Sequence, residues 1–163
     1  MEKEKKKILI IEDELSLLEA LNDKFSREDF LVFRAVNGEE GLSLAFKEQP
    51  DLILLDIVMP KVNGMTVFKK LRMDKNRWAR QVPVIILTNI ENFKEVVEAF
   101  EFDICGSERK RFRGRSLNII KKGITGYLNS RLNNGGCDFL IKSDCKIESI
   151  VKLAKKRLRV YRV

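Results

Sequence analysis

Leu52 to Leu55 is an unbroken apolar run, and Asp56 ends it. Side chains alternate between the faces of a strand, so a continuous apolar run suits a strand buried on both faces. Pro60 stops further pairing, and Asn63-Gly64 turns the chain into a helix. A carboxylate just past a buried strand stands at the carboxyl edge of a parallel sheet, where open α/β folds hold their ligands. Taken alone, Asp56 could equally be no more than the residue that closes a strand.

The same pattern recurs along the chain. Apolar runs at Ile8–Ile11, Phe30–Val36, Asp51–Leu55, Pro83–Leu87 and Cys137–Ile141 read as strands. Between them lie stripes at helical spacing. Leu15, Leu18, Leu21, Asn22 and Phe25 form the first, and Leu42, Ala45 and Phe46 the second. Met65, Phe68 and Leu71 form the third, and Phe93, Val96, Val97 and Phe100 the fourth. A last helix from about Lys146 to Leu158 puts Ile147, Ile150, Val151, Ala154 and Leu158 on one face. Strand alternating with helix predicts a doubly wound parallel α/β sheet with right-handed crossovers.

Strand ends carry the chemistry. The first strand ends in Glu12 and Asp13, the third in Asp56, the fourth in Thr88 and the fifth in Lys142. The second ends in nothing reactive. In a sheet of order 2-1-3-4-5, strands one, three, four and five bring those residues to one edge. Asp13 could instead act as an N-cap of the following helix, with Glu14 favouring its positive end.

Two carboxylates about 5 Å apart repel by roughly 3 kcal/mol at an effective dielectric near 20, so three together call for a cation. The 163-residue chain has no histidine, and its three cysteines show no Cys-x-x-Cys spacing. That argues against zinc and against histidine-based catalysis, and all-oxygen ligands with water suit Mg²⁺. A carboxylate can also attack phosphorus to give an aspartyl phosphate. Lys142 would neutralise the incoming phosphoryl group, and Thr88 could donate a hydrogen bond to it. Asp56-Ile57-Val58 lacks the second aspartate of an Asp-x-Asp phosphatase. No glycine-rich phosphate loop follows the first strand.

These pieces together resemble a response-regulator receiver domain of two-component signalling. They are Ile-Leu-Ile-Ile-Glu-Asp-Glu, Asp-Leu-Ile-Leu-Leu-Asp-Ile-Val-Met-Pro, Asn63-Gly64, Pro-Val-Ile-Ile-Leu-Thr-Asn and Asp-Phe-Leu-Ile-Lys-Ser, in order. The resemblance covers about 8–102 and 137–158. It implies a flavodoxin-like five-stranded fold in a single domain over 1–163. It also implies that Asp56 accepts a phosphoryl group from a sensor histidine kinase or phosphotransfer protein. Glu12, Asp13, Asp56 and the backbone carbonyl of Val58 would hold Mg²⁺. Thr88 and Phe139 would be the switch residues, and Lys142 the family's lysine. Phe cannot donate the hydroxyl bond that Tyr could, so Phe139 would act through packing. Such a protein is a signalling switch or relay rather than an enzyme on a separate substrate. It is expected in the cytoplasm, as a monomer or a phosphorylation-dependent dimer.

The departure from that pattern is an insertion at about 103–136, before the fifth strand. Arg109, Lys110, Arg111, Arg113, Arg115, Lys121, Lys122 and Arg131 face only Asp103 and Glu108 there, which gives +6 of the net +8. The rest of the chain is close to neutral. Leu117, Ile120, Ile124, Tyr127, Leu128 and Leu132 have amphipathic-helix spacing, weakened by Gly123 and Gly126. Three readings stay open: a tolerated surface extension, a basic arm for nucleic acid or another anionic surface, and a contact for a protein partner or second copy. The basic residues Lys152, Lys155, Lys156, Arg157 and Arg159 read as the solvated face of the last helix. Cys105 and Cys137 bracket the insertion, with reduced thiols the expectation. No apolar run is long enough for a membrane span. The last helix ends near the final residue, so a stand-alone receiver acting on a downstream protein is expected, with a piece cut from a longer regulator as the alternative. The contrasting expectation is a phosphorylation-independent binding module that works through the insertion.

Overall fold

The computed structural model describes residues 4–89, 91 and 137–160. In chain order these form β1 (Lys7–Ile11), α1 (Leu15–Arg27), β2 (Leu31–Ala35), α2 (Gly38–Glu48) and β3 (Leu52–Asp56). They continue with α3 (Gly64–Met73), α4 (Arg77–Gln81), β4 (Val84–Thr88), β5 (Cys137–Ile141), a 3-10 turn (Lys142–Asp144) and α5 (Ile147–Val160). The insertion at about 103–136 lies outside the described residues. So do its cations from Arg109 to Arg131 and the stripe through Phe93 and Phe100.

All strand pairs are parallel, as the alternation predicts, and the order is β2-β1-β3-β4-β5, the order of the flavodoxin-like fold that the resemblance implies. The pleat sorts the apolar runs onto two faces. Leu9, Ile11, Ile53, Leu55, Val84 and Ile86 face one core, which α2, α3 and α4 cover. Ile8, Ile10, Leu52, Leu54, Ile85 and Leu87 face the other, under α1 and α5. Both faces are covered, so β3 and β4 are buried at every position. Phe25 and Phe68 are fully buried, one in each core, and each contributes roughly 1.5–3 kcal/mol through removal from water.

Local signals set the helix starts. Asn37 caps α2, its side chain accepting from the N–H groups of Glu39 and Glu40. Asn63 caps α3, accepting from Thr66 N–H at 2.9 Å. The N-cap of α1 is Glu14, not Asp13, and its side chain makes no capping bond. Glu12 acts nearby, its Oε1 accepting from Glu14 N–H at 3.2 Å. Asp13 is thereby left for the sheet edge.

Three details depart from the sequence reading. Leu15 is 63 % exposed and is not part of the buried stripe, which consists of Leu18, Leu21 and Phe25. The helix α4 was not expected, because its five residues are too short to show a period. Its Trp78 stacks edge-on against Phe46 and donates its indole N–H to the Pro50 carbonyl, which ties α4 to α2. Arg157 and Lys155 are not simply solvated. Arg157 forms a forked ion pair with the buried Asp138 of β5, and Lys155 pairs with Glu28.

Gly64 fixes how closely α3 approaches the end of β3. A Cβ there would lie 2.0 Å from the Asp56 carbonyl oxygen and 2.9 Å from Ile57 Cα. Both obstacles are backbone, and Gly64 N–H also donates to the Ile57 carbonyl. Gly64→Ala is expected to destabilise the fold by about 3 kcal/mol, the upper end for overpacking, because no side chain can yield. Urea unfolding of the two proteins measures this, and an unchanged midpoint would refute it.

Candidate functional site

The carboxyl ends of β1 and β3 place Glu12, Asp13 and Asp56 side by side. One carboxylate oxygen from each lies within 4.8 Å of the others. Glu12 is fully buried and Asp56 is 3 % exposed, whereas Asp13 reaches solvent. Lys142, in the turn after β5, bridges the two buried acids. Its Nζ donates to Glu12 Oε1 at 2.8 Å and to Asp56 Oδ2 at 2.9 Å. The other Asp56 oxygen accepts from Val58 N–H at 3.2 Å.

Burial raises the Glu12 pKa to about 7. Lys142 opposes the shift, and the charge of Asp56 adds to it. Burial also raises Asp56, with Lys142 and the Val58 N–H opposing and the nearby Asp13 adding. Burial alone would lower Lys142, but its bonds to Glu12 and Asp56 outweigh this and raise it. The pocket is therefore short of positive charge. One geometric observation agrees: Glu12 Oε2 is buried and has no hydrogen-bond partner among the described residues. An orphaned buried carboxylate oxygen is costly unless a proton or a cation satisfies it. Three hard oxygen donors with a solvent-exposed side fit a hydrated Mg²⁺.

The raised pKa values set the sign of the pH response. A carboxyl group that is harder to ionise when folded favours the folded state while protonated. That stability is present below about pH 4.5 and is lost as pH rises through about 7. Metal-free wild-type protein is expected to lose roughly 2–3 kcal/mol relative to Glu12→Gln between pH 5 and 8. Glutamine keeps the shape and can still accept from Lys142 and Glu14. Denaturation midpoints across that range, taken in a chelator, measure the difference, and parallel curves for the two proteins would contradict it.

Thr88 lies at the end of β4, fully buried, with its hydroxyl donating to the Asn89 carbonyl at 3.3 Å. It is bonded to its neighbour, not to Asp56. Val58 follows Asp56 in the loop after β3, with its side chain half exposed. Phe139 on β5 is paired in register with Ile86 of β4, and its side chain lies outside the described residues. Thus the structure joins Glu12, Asp13, Asp56 and Lys142 in one cluster, with Val58 contacting Asp56 through its backbone. Sequence reasoning missed the Glu12 bond to the start of α1. The run of acids at positions 12–14 was the only signal for it.

A family model described as the response regulator receiver domain matches residues 8–121. The chain belongs to the response regulator receiver family. The match to the family model runs into the segment expected as an insertion and stops before β5 and α5, which the structure adds to the receiver fold. This receiver is 30 % identical over 128 residues to sporulation initiation phosphotransferase F of Bacillus subtilis, covering 78 % of this chain and 97 % of that protein. It is 36 % identical over 137 residues to a probable transcriptional regulator, ycf27, of Guillardia theta, covering 81 % of this chain and 52 % of that one. It therefore spans about half the length of the ycf27 regulators it resembles. Among solved structures, the receiver domain of a signal transduction histidine kinase from Syntrophus aciditrophicus superposes with a TM-score of 0.67 at 24 % identity. That superposition covers 96 % of this chain and 92 % of the other, and it speaks for the fold alone. Among the described residues of this receiver, no helix is long and apolar enough to cross a membrane.

Proposed function

We propose that this receiver is a Mg²⁺-dependent phosphoryl acceptor whose nucleophile is Asp56. The supporting observation is the cluster of Glu12, Asp13 and Asp56 with Lys142 bridging its two buried members. The phosphoryl donor is a phosphohistidine on a sensor kinase or phosphotransfer protein. An Asp56 oxygen attacks phosphorus, the phosphorus–nitrogen bond breaks, and its electron pair stays on the imidazole, which is then protonated by solvent. Glu12, Asp13, Asp56 and the Val58 carbonyl would hold the metal. When bound, Mg²⁺ would supply positive charge that offsets the charge of the transferred phosphoryl group.

The remaining work falls to the chain itself. Lys142 already holds its ammonium at an Asp56 oxygen, so it meets the phosphoryl charge without travelling. Val58 N–H orients the carboxylate. Thr88 exchanges its bond to the Asn89 carbonyl for one to a phosphoryl oxygen, and Phe139 repacks in response. The receiver acts as a switch or relay on a downstream protein, in the cytoplasm, as one domain over 1–163 interrupted before β5.

Peptide mapping after treatment with a small acyl phosphate and Mg²⁺ tests the assignment. The phosphoryl group is expected on the segment from Leu52 to Pro60 and is expected to be released by hydroxylamine, as an acyl phosphate is. A hydroxylamine-resistant group on a serine or threonine would contradict it.

A further inference from the structure

A second surface lies away from the acid cluster, in the groove between α1 and α5. The groove encloses about 770 Å³ and is lined by Lys24 and Glu28 from the end of α1 and by the outer side of α5. On α5 the cations Lys152, Lys155, Lys156 and Arg159 stand at spacings of three, four and seven residues. That spacing forms one stripe along a helix. Val151 and Leu153 from the same helix add apolar lining.

The charges are not equally satisfied. Glu28 takes both Lys155 and Lys24, at 2.5 and 3.6 Å. These bonds hold its pKa below the usual carboxylate range. Lys152, Lys156 and Arg159 are exposed and form no ion pair among the described residues. The groove thus offers three spare cations beside apolar side chains.

We propose that this groove docks an acidic amphipathic helix of a protein partner. Two helices leave a channel that suits a third helix, and the cation stripe calls for carboxylates at matching spacing. Two features favour protein over nucleic acid. Glu28 and Glu148 line the same groove and would repel a phosphate backbone. Apolar lining also rewards Leu-like side chains that a phosphate backbone does not carry. The position of Glu148, one turn before Lys152, gives the docked helix a direction. Its acids lie over the C-terminal half of α5, and a neutral or basic residue lies over Glu148.

The test uses the full chain labelled with ¹⁵N and a short synthetic helical peptide that carries Glu on one stripe and Leu on the next. Amide shifts are expected at Lys24, Glu28 and Val151 to Arg159. The combined variant Lys152→Glu, Lys156→Glu, Arg159→Glu is expected to weaken binding roughly tenfold or more while keeping the wild-type circular dichroism. These three residues are exposed and lie outside the acid cluster, so phosphoryl uptake at Asp56 should not change. Three results would each overturn the proposal. They are shifts confined to other surfaces or no binding, equal affinity in the variant, and a DNA duplex that shifts the same amides at lower concentration than the peptide.

Discussion

Lys142→Met is expected to slow phosphoryl uptake from a small acyl phosphate by roughly 100-fold or more, the usual scale for losing a preorganised charge stabiliser. The reason lies in the pocket's charge. Lys142 is the cation bonded to both buried acids, at 2.8 and 2.9 Å. Without it, burial is opposed by the Glu14 and Val58 N–H bonds but by no contact with Lys142, and Glu12 and Asp56 both shift further toward the protonated form. A protonated Asp56 is a poor nucleophile. The transferred phosphoryl group also meets no ammonium. Raising the pH is expected to recover only the first loss, since it ionises Asp56 but supplies no charge. Initial rates by intact mass at several pH values separate the two. A variant with the wild-type rate would show that Lys142 is structural only.

Arg157→Ala is expected to destabilise the fold by about 3–5 kcal/mol, the scale for breaking a buried ion pair. Asp138 is 1 % exposed on β5, and the Arg157 side chain is 14 % exposed on α5. The guanidinium meets both Asp138 oxygens, so its loss removes two charge-assisted bonds and leaves a buried carboxylate short of them. Among the described residues, β5 pairs in the sheet only with β4. Replacing both partners by apolar residues, Asp138→Leu with Arg157→Met, should recover part of the loss because neither charge of this pair is then left without the other. Guanidinium unfolding of wild type, single and double variants measures this. A single variant within about 0.5 kcal/mol of wild type would class the pair with ordinary surface contacts.

The residues differ in how far the sequence disclosed them. Asp56, Thr88 and Lys142 were legible because each closes an apolar run. A parallel sheet brings the carboxyl ends of its strands to one edge, so position along the chain translated directly into position in space. The parallel sheet was legible from the alternation of strand and helix, whereas the strand order came from the resemblance to a known doubly wound fold and not from the pattern of this chain. Asp13 was ambiguous between helix cap and site, since both uses place an acid just after β1. The structure removes the cap reading, because Glu14 takes the N-cap position and Glu12 accepts the Glu14 N–H. Arg157 was read as solvated because periodicity shows which side chains of α5 are apolar, not which cations overhang a buried acid on the neighbouring strand. The helix α4 was invisible for a simpler reason. One turn and a half cannot show a period, and only Asn76, which caps it, marked its start.

The most direct measurement is intact mass after incubation with a small acyl phosphate, for wild type and Asp56→Asn, each with Mg²⁺ and with a chelator. One added phosphoryl group on wild type with Mg²⁺, and none in the other three samples, is the predicted result. No modification of the wild type, or equal modification of Asp56→Asn, would contradict Asp56 as the metal-dependent acceptor.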